Sequence, residues 1–255
     1  MSQHVAVHIR DRVMEVELAR PERKNALTFD MYEAMSGALA AADADPAVRA
    51  VLVRGARDCF TAGNDLKDFL ERPPQGDDSP AFRFIRMLPE FSKPLIAAVN
   101  GPAVGIGTTM LLHCDLVYAA PGARFQLPFV PLGVVPEAGS SFLLPLIAGW
   151  QRAAELVLLG QPFGAEKALA AGFVTDIVPE AELFERARAA AAALAALPPA
   201  AVRAAKALMK KPLREALAAA MQEEGRIFRE RLCSPEAREA MTAFFEKRKP
   251  DFSQF

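Results

Sequence analysis

Three short apolar runs constrain the fold of this chain more than any other feature. They lie at 48–53 (VRAVLV), Leu95–Val99 (LIAAV) and Leu116–Ala119 (LVYA), and helical stretches separate them. A strand with water on one face alternates apolar and polar residues; one covered on both faces loses that alternation. Runs of this kind between helices therefore predict an α/β domain with a largely parallel sheet. Ahead of them, 5–9 and Val13–Leu18 do alternate, on either side of Asp11-Arg12, which reads as a hairpin. Thr28 is placed to cap a helix in which Phe29, Met31, Tyr32, Met35 and Leu39 recur at helical spacing until Asp45-Pro46 breaks it.

At 255 residues the chain is long for one average domain and short for two. We expect an α/β core over 1–195 and a helical region over 196–255. The segment 71–80 (ERPPQGDDSP) reads as a polar loop. Residues 180–220 are alanine-rich, but Leu183, Phe184, Leu194, Leu197 and Val202 supply apolar anchors, so packed helices are expected rather than disorder.

A net charge of −1 gives no general attraction to nucleic acid or to an anionic membrane. No uninterrupted apolar stretch is long enough to span a bilayer, and the first residues do not resemble a secretory signal. Cys59, Cys114 and Cys233 show no C-x-x-C spacing, and His4, His8 and His113 show no metal-ligand spacing. The expectations are a reduced, cytoplasmic protein without disulfides and without a metal site.

Two motifs mislead. Gly101, Gly105 and Gly107 suggest a phosphate loop, but the Lys-Ser/Thr pair that would hold phosphate and metal is absent. Gly139-Ser140-Ser141 is not a G-x-S-x-G elbow, and the internal histidine, His113, is expected to pack against an apolar helix face.

The loops that follow two of the strands are more informative. Residues 59–67 (CFTAGNDLK) follow the first, and 100–107 (NGPAVGIG) follow the second and open a helix. Small residues let a ligand approach the backbone, and the carboxyl ends of neighbouring strands are where α/β sheets bind ligands. A helix N-terminus favours negative charge. Two readings fit: the loops point two N–H groups at one oxygen as an oxyanion hole, or they are ordinary strand-to-helix turns.

F-T-A-G-N-D-L at 60–66, N-G-P-A-V-G-I-G at 100–107 and P-L-G-V-V-P-E-A-G-S-S at 131–141 resemble, in order and spacing, the crotonase (enoyl-CoA hydratase/isomerase) superfamily. R-P-E-R-K-N-A-L at 20–27 resembles its first CoA-contacting loop, and F-F-E-K-R-K at 244–249 its C-terminal helix end. The resemblance implies a spiral of ββα units, C-terminal helices that assemble a homo-trimer or hexamer, and an acyl-CoA thioester as substrate without a further cofactor. It implies that the backbone N–H groups of Asn64 and Ile106 hold the thioester oxygen. Arg23, Lys24, Ala26, Ala62, Asn64, Asp65, Leu66, Lys67 and Lys247 are the implied CoA contacts.

Hydratases of the superfamily carry two glutamates, and here those positions hold Thr109 and Phe129. Neither side chain exchanges a proton near neutral pH; with Leu132 they are expected to line the acyl pocket. Glu137, in V-P-E-A-G-S-S, matches the glutamate of peroxisomal-type Δ3,Δ2-enoyl-CoA isomerases, which also resemble this chain in a large aliphatic residue at the position of Ile106. The resemblance thus implies an isomerase with Glu137 as its one base. Against this stands a plain alternative: glutamate after proline suits the first turn of a helix. Another crotonase reaction (aromatic-acid ring isomerisation or hydrolysis, or hydration), a non-catalytic acyl-CoA binder and an RNA-binding relative are the competing functions.

Overall fold

The computed structural model describes residues 2–65 and 78–255. Leu66, Lys67 and most of the polar segment 71–80 lie outside the described residues.

The chain starts as a hairpin of β1 (Val5–Arg10) and β2 (Val13–Leu18), paired Val5 to Leu18 and Arg10 to Val13. Asp11 and Arg12 both take positive φ, 50° and 67°. That two-residue turn matches the twist of the strands it joins. Helix α1 (Phe29–Ala44) follows, with the Thr28 hydroxyl accepting the Met31 N–H at 3.3 Å. Strand β3 is Ala50–Gly55, two residues later than the apolar run alone suggests, and Arg49 N–H bonds the Arg12 carbonyl as the strand is entered. Then come α2 (Pro80–Glu90), β4 (Leu95–Val99), β5 (Pro102–Val104), the single turn α3 (Ile106–Thr109), β6 (Leu116–Ala119) and β7 (Arg124–Gln126). The rest is mainly helical: α4 (Ser140–Ala148), α5 (Trp150–Leu158), α6 (Ala165–Ala170), α7 (Leu183–Ala196), α8 (Pro199–Lys210), α9 (Arg214–Leu232) and α10 (Pro235–Phe245). Two short strands interrupt it, β8 (Phe163–Gly164) and β9 (Asp176–Ile177).

The main sheet runs β1-β2-β3-β4-β6-β9 and is parallel from β2 onward; β5, β7 and β8 form a second sheet. Strand pairs that pass between the two sheets and then enter a helix produce the spiral of ββα units. Side chains alternate across β3 and β4. Val51, Val53, Leu95, Ala97 and Val99 face a core shared with α1 and α2. Ala50, Leu52, Ile96 and Ala98 face α7, which presents Leu183, Ala187, Ala190, Ala191 and Ala195. That stripe has helical spacing, and its methyl groups let the helix lie close to the sheet. Ala187, Ala190, Ala191 and Ala195 of α7 are therefore committed to covering their own sheet. Among the described residues, no single helix is long and apolar enough to cross a membrane.

Candidate active site

Loop 20–27 is held by a residue the sequence reading left without a role. Asn25 is wholly buried, at φ +52°. Its Oδ1 accepts the Arg20 N–H at 2.8 Å, its Nδ2 donates to the Cys59 carbonyl at 2.7 Å, and its own carbonyl accepts the Thr61 hydroxyl at 2.7 Å. Asparagine tolerates left-handed backbone and carries both donor and acceptor, so one side chain clamps loop 20–27 onto loop 59–65. Ala62 N–H then reaches the Lys24 carbonyl at 2.9 Å. The structure thereby gathers Arg23, Lys24, Ala26, Ala62, Asn64 and Asp65 along one rim, with the Arg23 and Lys24 side chains exposed. Asp65 is ion-paired to Arg20 at 2.7 Å. Lys247 follows α10, which packs on the 130–132 turn.

Leu27 bridges Asn64 in parallel, taking the Gly63 carbonyl at 2.8 Å and the Asp65 N–H at 2.9 Å. The Asn64 N–H is therefore turned away from Leu27. On its other side Gly63, at φ +85°, backs onto the second loop so closely that a Cβ would fall 2.6 Å from the Val104 carbonyl oxygen. A side chain there would drive the loops apart. Ile106 begins α3 directly after Gly105, where the first N–H groups of a helix have no intrahelical acceptor. Among the described residues neither the Asn64 nor the Ile106 N–H has a hydrogen-bond partner. Two such N–H groups on abutting loops form the kind of donor pair that stabilises an oxyanion. The Asn64 side chain is fixed by the hydroxyl of Tyr32, a buried residue of α1 that the sequence reading used only as core.

One turn beyond Ile106, the Thr109 hydroxyl donates to Glu137 Oε1 at 3.1 Å. Glu137 is only 6% exposed. Burial pushes its pKa up to about 8, the Thr109 bond opposing and the charge of Glu224 adding to the rise. Glu137 is not a first-turn helix residue. Ala138 and Gly139 follow it at φ +58° and +72°, and α4 begins only at Ser140. The alternative reading of Glu137 as a helix-dipole residue therefore fails.

The misleading serines are committed elsewhere: Ser140 Oγ donates to the Glu137 carbonyl at 2.6 Å, and Ser141 Oγ donates to Glu224. His113 Nε2 lies 2.7 Å from the Ala138 carbonyl, which can only accept, so that nitrogen carries the proton. Burial pulls the pKa of His113 down to about 4, so it is neutral.

Glu137 opens on a cleft of about 780 Å³ between α2, α4 and α9, lined by apolar side chains such as Ile85, Leu143, Leu217 and Met221. Phe129 and Leu132 do not line it: Phe129 is buried in the core and Leu132 is packed against that core. Thr109 reaches the site only through Glu137.

Residues 8–255 match the enoyl-CoA hydratase/isomerase family. The chain belongs to that family. It is 36% identical to the human (Homo sapiens) enoyl-CoA delta isomerase 2 over 251 residues, covering 96% of this chain and 64% of that protein. It therefore spans a little under two thirds of that relative. It is 35% identical to the 2,3-dehydroadipyl-CoA hydratase of Escherichia coli (strain K12), over 95% of this chain and 96% of that one. The solved structure of Pseudomonas aeruginosa OdaA superposes with a TM-score of 0.92 at 51% identity, over 95% of this chain and 99% of that one. Both isomerases and hydratases thus stand among the relatives of this family member.

Proposed function

We propose that this enzyme moves the double bond of a 3-enoyl-CoA to give the 2-trans-enoyl-CoA. The observation that carries the reading is the buried carboxylate of Glu137, bonded by the threonine that occupies a hydratase glutamate position. Hydration needs one group to activate water and a proton source for C2; isomerisation needs one base that gives back what it takes.

In this reading the thioester oxygen accepts the N–H groups of Asn64 and Ile106. The ionised Glu137 removes a proton from C2. The electrons of that C–H bond delocalise over C2, C3, C4 and the thioester, and the oxygen takes most of the charge as a dienolate held by the two N–H groups. The protonated Glu137 then delivers the same proton to C4, and the double bond is left between C2 and C3. No cofactor beyond the CoA thioester is required. The exposed Arg23 and Lys24 would meet the CoA phosphates, joined by the backbone of Ala26, Ala62 and Asp65. Leu66, Lys67 and Lys247 remain proposed contacts on the resemblance alone.

Product analysis of 3-hexenoyl-CoA and crotonyl-CoA supplied side by side tests the reading. The expected result is rapid appearance of 2-trans-hexenoyl-CoA and poor hydration of crotonyl-CoA. Efficient hydration with slow isomerisation would overturn it in favour of the hydratase function.

We further propose a cytoplasmic homo-trimer or hexamer. Leu146, Trp150, Leu158, Leu159, Leu208 and Met209 are large apolar side chains left exposed on one chain, more than a monomer usually tolerates. Sedimentation at micromolar concentration should give a trimer or a hexamer; a monomer would refute the assembly.

A further inference from the structure

We propose that Glu224, far along the chain on α9, is a positioning residue for Glu137: it grips the 137–141 turn and holds the base where it faces the cleft. The proposal rests on the reading of Glu137 as the base.

The turn needs an external hold. Ala138 and Gly139 are consecutive left-handed residues at φ +58° and +72°. For alanine that conformation is sterically unfavourable, so it persists only where the surroundings impose it. Two groups outside the turn do so. His113 donates to the Ala138 carbonyl at 2.7 Å. Glu224 Oε2 accepts the Gly139 N–H at 2.6 Å, and its Oε1 accepts both the Ser141 N–H at 2.8 Å and the Ser141 hydroxyl. Two N–H groups, which can only donate, and the Ser141 hydroxyl on the two oxygens favour an ionised carboxylate, opposing the burial that pushes the Glu224 pKa up. These N–H groups belong to the start of α4, where a negative charge is favoured.

Glu224 is only 6% exposed and lines the same cleft as Glu137. A neutral cap would satisfy the same N–H groups at less desolvation cost, so the choice of a buried charge calls for a further effect. That effect is on the base: a second negative charge beside Glu137 increases its hold on a proton. The other groups around Glu137 do not duplicate it. Tyr32 from α1 and Thr109 from α3 are uncharged, and His113 is neutral. The cleft is also lined by Arg86, Arg214, Arg226 and Arg229, by Lys210, whose pKa burial pulls down to about 8, and by Glu90 and Glu223.

The test is a double-mutant cycle on the full chain with 3-hexenoyl-CoA: wild type, Glu224→Gln, Glu137→Gln and both. Glu224→Gln replaces an acceptor by an amide that cannot take all three donors, and it removes the charge. It should lower kcat about tenfold with KM within about threefold, the pattern of a displaced base rather than lost binding. The rise of kcat with pH should move to lower pH, since Glu137 loses a like-charged neighbour. In the Glu137→Gln background the same change should have no further effect, because its action passes through Glu137. Wild-type kcat and pH profile in Glu224→Gln, or an equal loss in both backgrounds, would overturn the proposal. Full isomerase activity in Glu137→Gln removes the base assignment itself and the proposal with it, whatever Glu224→Gln does. If circular dichroism finds Glu224→Gln unfolded, Ser141→Ala removes one of the three donors and keeps both charges. It should lower kcat about threefold with the pH profile unmoved, and an unchanged kcat would count against the grip.

Discussion

Replacing Glu137 by glutamine is expected to lower kcat for 3-enoyl-CoA isomerisation by ~10²-fold or more, the usual contribution of a positioned general base. Glutamine keeps size and polarity and can still accept from Thr109, so KM should change little. In the wild type, only the ionised carboxylate removes the C2 proton. With its pKa pushed up to about 8, kcat/KM should rise with pH through that region and level off above it. The same shift makes a stability prediction. A carboxyl that ionises near 8 when folded but near 4.5 when unfolded binds its proton more tightly in the native state. Its favourable contribution is full below the unfolded value and is lost as pH rises through the folded one. The glutamine variant has no charge to bury. It should be more stable than wild type at pH 9, by on the order of 3–5 kcal/mol, and should lose that advantage near pH 4. Thermal melts at the two pH values measure this. An active glutamine variant, or one with the wild type's pH-dependent melting, would place the base elsewhere. Asp65, tied to Arg20 at 2.7 Å, is already poorly free to serve.

Features governed by local chemistry were the ones legible in the sequence. The positive-φ pair Asp11-Arg12 between alternating runs, the Thr28 cap and the apolar runs of β3, β4 and β6 each carry their own signal. What was missed depends on partners distant in sequence. Asn25 reads as one more polar residue of a loop until Cys59 and Thr61 are packed against it. Glu137 after Pro136 looks like a helix start, because the left-handed turn that separates it from α4 is imposed by His113 and Glu224 rather than encoded locally. Glu224 did leave a trace. Leu217, Met221, Glu224 and Phe228 recur at helical spacing on α9, and three of the four are apolar. A glutamate on the buried stripe of a helix contradicts the pattern around it, and such a contradiction marks a functional position more often than an error. Phe129 and Leu132, matched to an acyl pocket by position, pack in and against the core.

Ile106→Pro should lower kcat by ~10²–10³-fold, the cost of removing one preorganised donor to a developing oxyanion. The substitution is unusually clean at this position. Proline deletes the N–H, and the first residue of a helix is where that loss leaves no intrahelical bond unmade. No described residue accepts from the Ile106 N–H, so the free enzyme forfeits no hydrogen bond either. Gly105 precedes it at φ +56° and ψ −119°, the mirror image of the extended backbone that proline demands of its predecessor, and glycine adopts either hand. What remains is a packing change, since the Ile106 side chain is buried. Ile106→Val isolates that component: it keeps the N–H, trims one methylene, and should retain most activity at a stability cost of about 1 kcal/mol. The comparison therefore separates the donor from the side chain. A proline variant that folds, shows the valine variant's melting temperature within a few degrees and loses kcat without a matching rise in KM identifies a bond made mainly in the transition state. If the folded proline variant instead turned over like wild type, the thioester oxygen would have to be held elsewhere, and the abutting loops of Asn64 and Ile106 would be no more than turns.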